Sequence, residues 1–243
     1  YMHRFGIYPV VVTRHWDVPI SRPEDCYLPS VHQSTETEIT ETATVIRVPF
    51  NPNLRDRLIF RPGVLMKGVR KAFSFIQLMS EHRLAYFDNK RALYEGAREY
   101  LSANSADVII ATGEPFILFS YAHRLSAEFG IPWIGDYRDG WSTNYNLNTE
   151  GLSGKLQQWM MERTEKETIP TSALLTAAAP GLSFEIAPLA GRRAEEVPTV
   201  YNGYFEEKFE DSENVPLKKK FSIAHAGTLY PYQRVETFLA GLN

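Results

Sequence analysis

"ADVIIATGEPFILFSYAHRLSAEFGIPWIGDYRDGWS", residues 106–142, switches between two periodicities, and that switch decides the fold. Residues 106–115 are a short apolar run rich in Val and Ile that closes in Thr112, Gly113 and Glu114. This is the pattern of a strand running into a turn. Residues 115–130 have helical spacing, with Pro115 suited to a first turn and Gly130 to a C-terminal cap. Residues 131–136 return to an apolar strand. Two apolar strands joined by one helix predict a parallel βαβ unit whose strands are buried on both faces.

The alternation continues outward. Upstream, residues 8–13 ("YPVVVT") and 42–50 ("TATVIRVPF") read as strands, and the Pro-, Ser-, Thr- and Glu-rich residues 19–42 between them as an exposed loop. Residues 63–80 and 83–103 read as helices, the first with Leu65, Val69, Phe73, Ile76 and Leu78 near one face. Downstream come a helix over about 152–169, a strand at 172–178, a helix at 180–190 and a strand at 197–203. The pattern predicts a doubly wound α/β domain, with a mostly parallel sheet, over residues 1–205. Residues 206–220 ("EEKFEDSENVPLKKK") form a solvated linker, and 221–243 restart with a strand and a helix. "YMHRFG" reads as a last helical turn closed by Gly6, and the chain stops inside or just after a helix. Both ends are therefore expected to cut through structure, as in a fragment of a longer chain.

Composition narrows the class. The chain has 243 residues, 23% charged and 44% hydrophobic, which is ordinary for a soluble globular protein. A net charge of -3 gives no reason to expect a nucleic-acid partner. Cys26 is the single cysteine, so no internal disulfide can form and a reducing compartment is expected. No apolar run reaches the roughly 18 residues of a membrane-spanning helix, and the first residues carry no signal-peptide pattern. The expectation is a cytoplasmic globular protein.

In open parallel sheets, ligands bind at the carboxyl ends of strands. Four such ends carry polar groups. Asp136, Arg138 and Asp139 follow strand 131–136 directly, with Trp141 close behind. Two readings stay open: Arg138 ties the two carboxylates together to brace a loop, or a carboxylate receives a substrate hydroxyl while Arg138 positions an anion or orients that carboxylate. Thr112, Gly113 and Glu114 form the second end, where Gly113 lets a ligand approach the backbone and the following helix offers free N–H groups. No glycine-rich dinucleotide fingerprint is present. The third end, "TRHWD", holds Arg14, His15 and Asp17; its histidine is either a base or a solvated, hydrogen-bonded side chain. His123 lies inside a helix. No spacing of His and carboxylates makes a metal site, so no metal is expected. The fourth end, "AGTLYPYQR" (226–234), places Gly227 and Thr228 to sit under a phosphate, with Arg234 reaching forward.

Three segments in this order resemble family-4 glycosyltransferases. Residues 106–142 resemble the N-terminal domain of the branch whose strand ends in an Arg-Asp-x-Trp loop. "SALLTAAAPGLSFEI…VPTVYNGYFEEKF" resembles their later strand and Asn-Gly turn, and "FSIAHAGTLYPYQRVETFLAGL" the start of their donor-binding domain. The likeness covers most of the chain from about residue 80 onward. It implies a GT-B architecture of two Rossmann-like domains and retaining transfer from a nucleotide-diphosphate sugar, the donor substrate, with no separate cofactor. The acceptor would be a glycan or a lipid-linked glycan, in polysaccharide biosynthesis. Asp139 and Asp136 would be the catalytic carboxylates. Arg138, Thr112, Gly113, Glu114 and His15 would face the acceptor, and Gly227, Thr228 and Arg234 the donor diphosphate. The chain departs from the family pattern in lacking the glycine loop of the first strand and the paired donor-domain glutamates. Thr228 and Gln233-Arg234 stand where many relatives carry Arg and Lys. This stretch alone is thus expected to be inactive. The alternatives are a non-catalytic sugar- or partner-binding module of the same fold and a GT-B-like nucleotide-sugar epimerase.

Two further expectations follow from the resemblance. The family's central first strand has no counterpart here, which predicts a vacant place between residues 8–13 and 107–111, with Val10, Val12, Val108 and Ile110 more exposed than their neighbours. Residues 63–80 pair Lys67, Arg70 and Lys71 with Phe73, Phe75, Leu78 and Met79. They form either a helix resting on the inner face of an anionic membrane or one packed on the sheet with its charges in water.

Overall fold

The computed structural model describes residues 2–58, 63–82, 89–145, 147, 151–203, 222–224 and 234–241. Backbone contacts divide the chain into two compact units, Tyr1–Asn202 and Gly203–Asn243. In the first unit a 3₁₀ turn, Met2–Phe5, ends at Gly6 with φ of +71° and leads into β1 (Val10–Arg14). A second 3₁₀ turn, Pro23–Tyr27, precedes β2 (Glu36–Ile39) and β3 (Thr44–Val48). Helices α1 (Leu54–Leu58), α2 (Val64–His82) and α3 (Arg91–Ala103) follow. The chain then alternates through β4 (Ile109–Gly113), α4 (Ile117–Phe129), β5 (Trp133–Tyr137), α5 (Gly151–Thr168), β6 (Leu174–Ala177) and α6 (Pro180–Ile186). In the second unit the described helix is α7 (Val235–Ala240). The proposed linker, 206–220, lies outside the described residues.

The strands form two sheets. One has the order β1-β3-β2, with β1 parallel and β2 antiparallel to β3; the other, β4-β5-β6, is parallel throughout. The protein is mixed α/β with parallel sheets. The βαβ unit forms as its periodicity predicts, and Gly130 closes α4 in the left-handed region at φ of +68°.

Small residues let α4 approach its sheet. Gly135 faces Phe119, Leu175 and Trp133 closely enough that a Cβ there would meet Leu175 Cδ2 at 2.9 Å. The space over Gly113 is filled by the Phe116 ring. An aromatic cluster results, with Phe119 edge-on to Tyr137 at 4.9 Å and Phe116 stacked on Trp141 at 5.2 Å. In the other sheet Gly96 of α3 lies against Val48, Ile46 and Val12. Helices α3 and α4 are tied together by Arg98, which donates to Glu128 at 2.8 Å.

Several expectations need correction. The strands are not buried on both faces: on β4, Ala111 and Gly113 are buried while Ile110 and Thr112 are exposed. The exposed loop assigned to 19–42 contains β2, whose four residues are all exposed. Backbone pairing to β3 and the 2.7 Å Arg47–Glu38 ion pair hold it there. The strand expected at 197–203 shrinks to one bridge, Ala177 to Thr199. Helix α1 was not expected. Ile76 of α2 is 59% exposed, so the apolar face assigned to that helix is not wholly inward. Lys67, Leu78 and Met79 have side chains outside the described set. Residues 83–88 of the predicted 83–103 helix are likewise outside it. No helix among the described residues is long and apolar enough to cross a membrane.

β1 and β4 belong to different sheets and do not pair with each other. Val108 and Ile110 are 39% and 56% exposed, as the vacant-strand expectation requires. On β1 the pattern is offset: Val11 is the exposed residue, while Val10 and Val12 are half-buried, Val12 lying against Gly96.

Candidate functional site

Parallel register brings three strand ends together. Thr112 of β4 pairs with Asp136 of β5, and Asp136 with Thr176 of β6. Side chains at paired positions share one face of the sheet, so the Asp136 carboxylate is flanked by two hydroxyls. Thr176 donates to its Oδ1 at 2.6 Å. Arg138 grips both oxygens, Nη2 donating to Oδ1 at 2.6 Å and Nε to Oδ2 at 2.8 Å. The free end of the guanidinium reaches across to the segment that bridges beside β6, Nη1 donating to the Val200 carbonyl at 3.0 Å and to Asn202 Oδ1 at 3.1 Å. Burial opposes ionisation of Asp136, but the donors from Arg138, Thr176 and Thr112 outweigh it and hold the carboxyl below its ordinary value. Asp136 is thus an ionised brace whose oxygens are already occupied.

The turn beyond it is fastened twice. Arg138 holds one side. On the other, Trp141 stacks on Phe116, and the Ser142 N–H donates at 3.0 Å to Oε2 of Glu165. Glu165, on α5, is fully buried and accepts a second hydrogen bond, 2.7 Å long, from the Tyr137 hydroxyl. Burial pushes the Glu165 carboxyl up from its usual range; Ser142 and Tyr137 pull it partly back. Tyr137 is raised well above the usual phenol value, by burial first and by the Glu165 charge second. Between the two fastenings Asp139 is exposed, and no partner for its carboxylate occurs among the described residues. An exposed carboxylate on a doubly anchored turn can accept a proton or a hydroxyl hydrogen bond without moving the backbone.

The other predicted residues fall in different places. Glu114 is exposed beside Thr112. Gly113 is buried under Phe116, so its missing side chain serves packing instead of ligand approach. The first N–H groups of α4 are partly used, Leu118 bonding the Pro115 carbonyl and Phe119 the Phe116 carbonyl. His123 pairs through Nδ1 with the Thr171 hydroxyl at 2.8 Å. His15 joins another set. It is 3% exposed, its Nε2 lies 2.8 Å from the Ser34 carbonyl, and its ring centre is 5.6 Å from that of His32. Asp17 Oδ2 accepts from the His32 backbone at 2.8 Å and lies 3.0 Å from His32 Nδ1. The His32 backbone N–H is the main reason the Asp17 carboxyl falls to about 2. Arg14 stacks its guanidinium on Phe50 at 3.8 Å and on Trp16 at 4.2 Å, and donates to the Cys26 carbonyl. In the second unit Arg234 is exposed just before α7. Gly227 and Thr228 lie outside the described residues.

Reading by strand ends missed Thr176, Asn202, Glu165 and His32. Thr176 had a signal, being the polar residue in the apolar "SALLTAA" run. Glu165 had none, since one glutamate among several on a charged helix is unremarkable in sequence. Compared with family models and with curated proteins, the sequence matches none of either.

Proposed function

We propose that this chain is part of a retaining glycosyltransferase of Rossmann-like, GT-B architecture. It would pass a sugar from a nucleotide-diphosphate donor to a glycan or lipid-linked acceptor, in the cytoplasm or at the inner face of a membrane. Three segments resembling family-4 enzymes in the right order support the reading. The observation that carries it is Asp139, an exposed carboxylate on a turn fixed at both sides, at the carboxyl edge of a parallel sheet. In this reading Asp139 orients the acceptor hydroxyl and takes its proton, while Arg138 and Asp136 keep the turn in place. Thr112 and Glu114 line the same edge, and Arg234 serves the donor diphosphate.

The test uses the purified protein. Radiolabelled nucleotide-diphosphate sugars are offered with membrane-derived acceptors, and the anomeric configuration of the product is read by NMR. Asp139→Asn is expected to lower turnover by about 10²–10⁴-fold, the usual contribution of a general base. Its melting temperature should stay unchanged, because no partner for the carboxylate occurs among the described residues. Full turnover in the variant removes Asp139 from the chemistry. Sugar binding without transfer by the parent protein identifies a binding module instead.

A further inference from the structure

We propose that His15, Asp17 and His32 form a binding site for a divalent transition-metal ion, with zinc the ion that fits best. One ligand atom from each residue lies within 4.8 Å of the others. Two imidazoles and one carboxylate, without a thiolate, suit a borderline ion such as zinc and not calcium or magnesium, which require oxygen-rich shells.

Four features argue for a prepared site over a chance cluster. First, Asp17 Oδ1 is buried and has no hydrogen-bond donor among the described residues. A buried carboxylate oxygen without a close donor is costly, and a cation on the same carboxylate offsets that cost. Second, one ring nitrogen of His15 is committed and the other keeps a lone pair. Its hydrogen bond to the Ser34 carbonyl requires the proton on Nε2, which in the neutral ring puts the lone pair on Nδ1. Metal-binding histidines are commonly held this way, the far N–H given to a carbonyl. Third, His32 Nδ1 and Asp17 Oδ2 are 3.0 Å apart, close to the edge of about 3.3 Å that a tetrahedral zinc imposes. The widest pair in the cluster must close by at most about 1.5 Å, which rotation of a side chain provides. Fourth, both loops are pinned. The His15 N–H bonds the Val48 carbonyl at 2.9 Å, while Ser30 and Phe50 exchange two hydrogen bonds that hold the segment leading to His32.

The His32 side chain is 57% exposed, so an ion can enter from solvent and a fourth position stays open to water. The Arg14 guanidinium is close enough to feel the Asp17 charge and opposes a second cation. It limits affinity without blocking the site, because Asp17 offsets it. A bound ion would clamp the end of β1 to the segment before β2. This inference does not depend on the glycosyltransferase reading.

The purified protein, stripped with chelator, is titrated with zinc chloride by calorimetry and followed by thermal melting. One ion should bind, and the melting temperature should rise by about 5–10 °C at a hundredfold excess over Kd. Magnesium should do nothing. His32→Gln, at an exposed position that leaves the fold intact, should weaken zinc binding at least tenfold. Asp17→Asn should do the same. Cobalt substitution should give visible bands without a thiolate charge-transfer band, which separates this site from one using Cys26. No binding at millimolar zinc, binding unchanged in His32→Gln, or a thiolate band would each overturn the proposal.

Discussion

Glu165 offers the sharpest test of how the candidate site is held. Glu165→Ala removes the acceptors of two buried donors, the Tyr137 hydroxyl and the Ser142 N–H. Tyr137 is fully buried and Ser142 is 4% exposed, so water cannot replace what is lost. Each stranded donor costs about 1–3 kcal/mol, and the vacated volume adds to that. Relief from burying a charge offsets part, leaving a net loss of about 2–5 kcal/mol. For a unit of this size that is a fall in Tm of about 5–15 °C. Glu165→Gln should cost only about 1 kcal/mol, since its carbonyl can accept from Ser142 and its NH₂ can donate to the Tyr137 oxygen. The pH dependence has a definite sign. Burial holds the folded pKa of Glu165 above its unfolded value, so the folded state binds the extra proton. That contribution is complete below the unfolded pKa of about 4.3 and is lost as pH rises through the folded pKa. Glutamine does not titrate. Stability of the parent relative to Glu165→Gln, measured by urea unfolding, should therefore be greatest in acid and decline across that window. Equal melting of the parent, Ala and Gln proteins would refute the pinning role. A gap that is flat or grows with pH would refute the burial account.

Arg138→Ala leaves Asp136 with hydroxyl donors alone and frees the Val200 carbonyl, for an expected loss of about 1–3 kcal/mol in urea unfolding. Arg138→Lys should recover only part, because an ammonium cannot reproduce the two-pronged grip; full recovery would show that charge alone matters. Gly135→Ala puts a methyl 2.9 Å from Leu175 Cδ2 and 3.2 Å from Trp133 Cζ3, and should destabilise by about 1–3 kcal/mol in the same assay. An unchanged midpoint would mean that Leu175 and Trp133 pack less tightly over Gly135 than described.

Local pattern was enough for the βαβ unit. The Val-Ile run of β4, the helical spacing of α4, Gly130 at its cap and the apolar start of β5 are all set by neighbours in sequence, and each appears where its periodicity places it. It was enough as well to point at the Asp136–Trp141 turn, because polar residues directly after an apolar strand must lie at a sheet edge. β2 was illegible for the opposite reason: all four residues are exposed, so no apolar face records it, and only backbone pairing to β3 makes it a strand. The partners were illegible too. Asp136 meets Thr176 across 40 positions, Arg138 meets Asn202 across 64, and Ser142 meets Glu165 across 23. These meetings are decided by strand register and helix docking, which no local spacing encodes. The same holds for His15, Asp17 and His32, whose separations in sequence match no metal-binding motif, and which only the packing of β1 and the loop before β2 brings within reach of one ion.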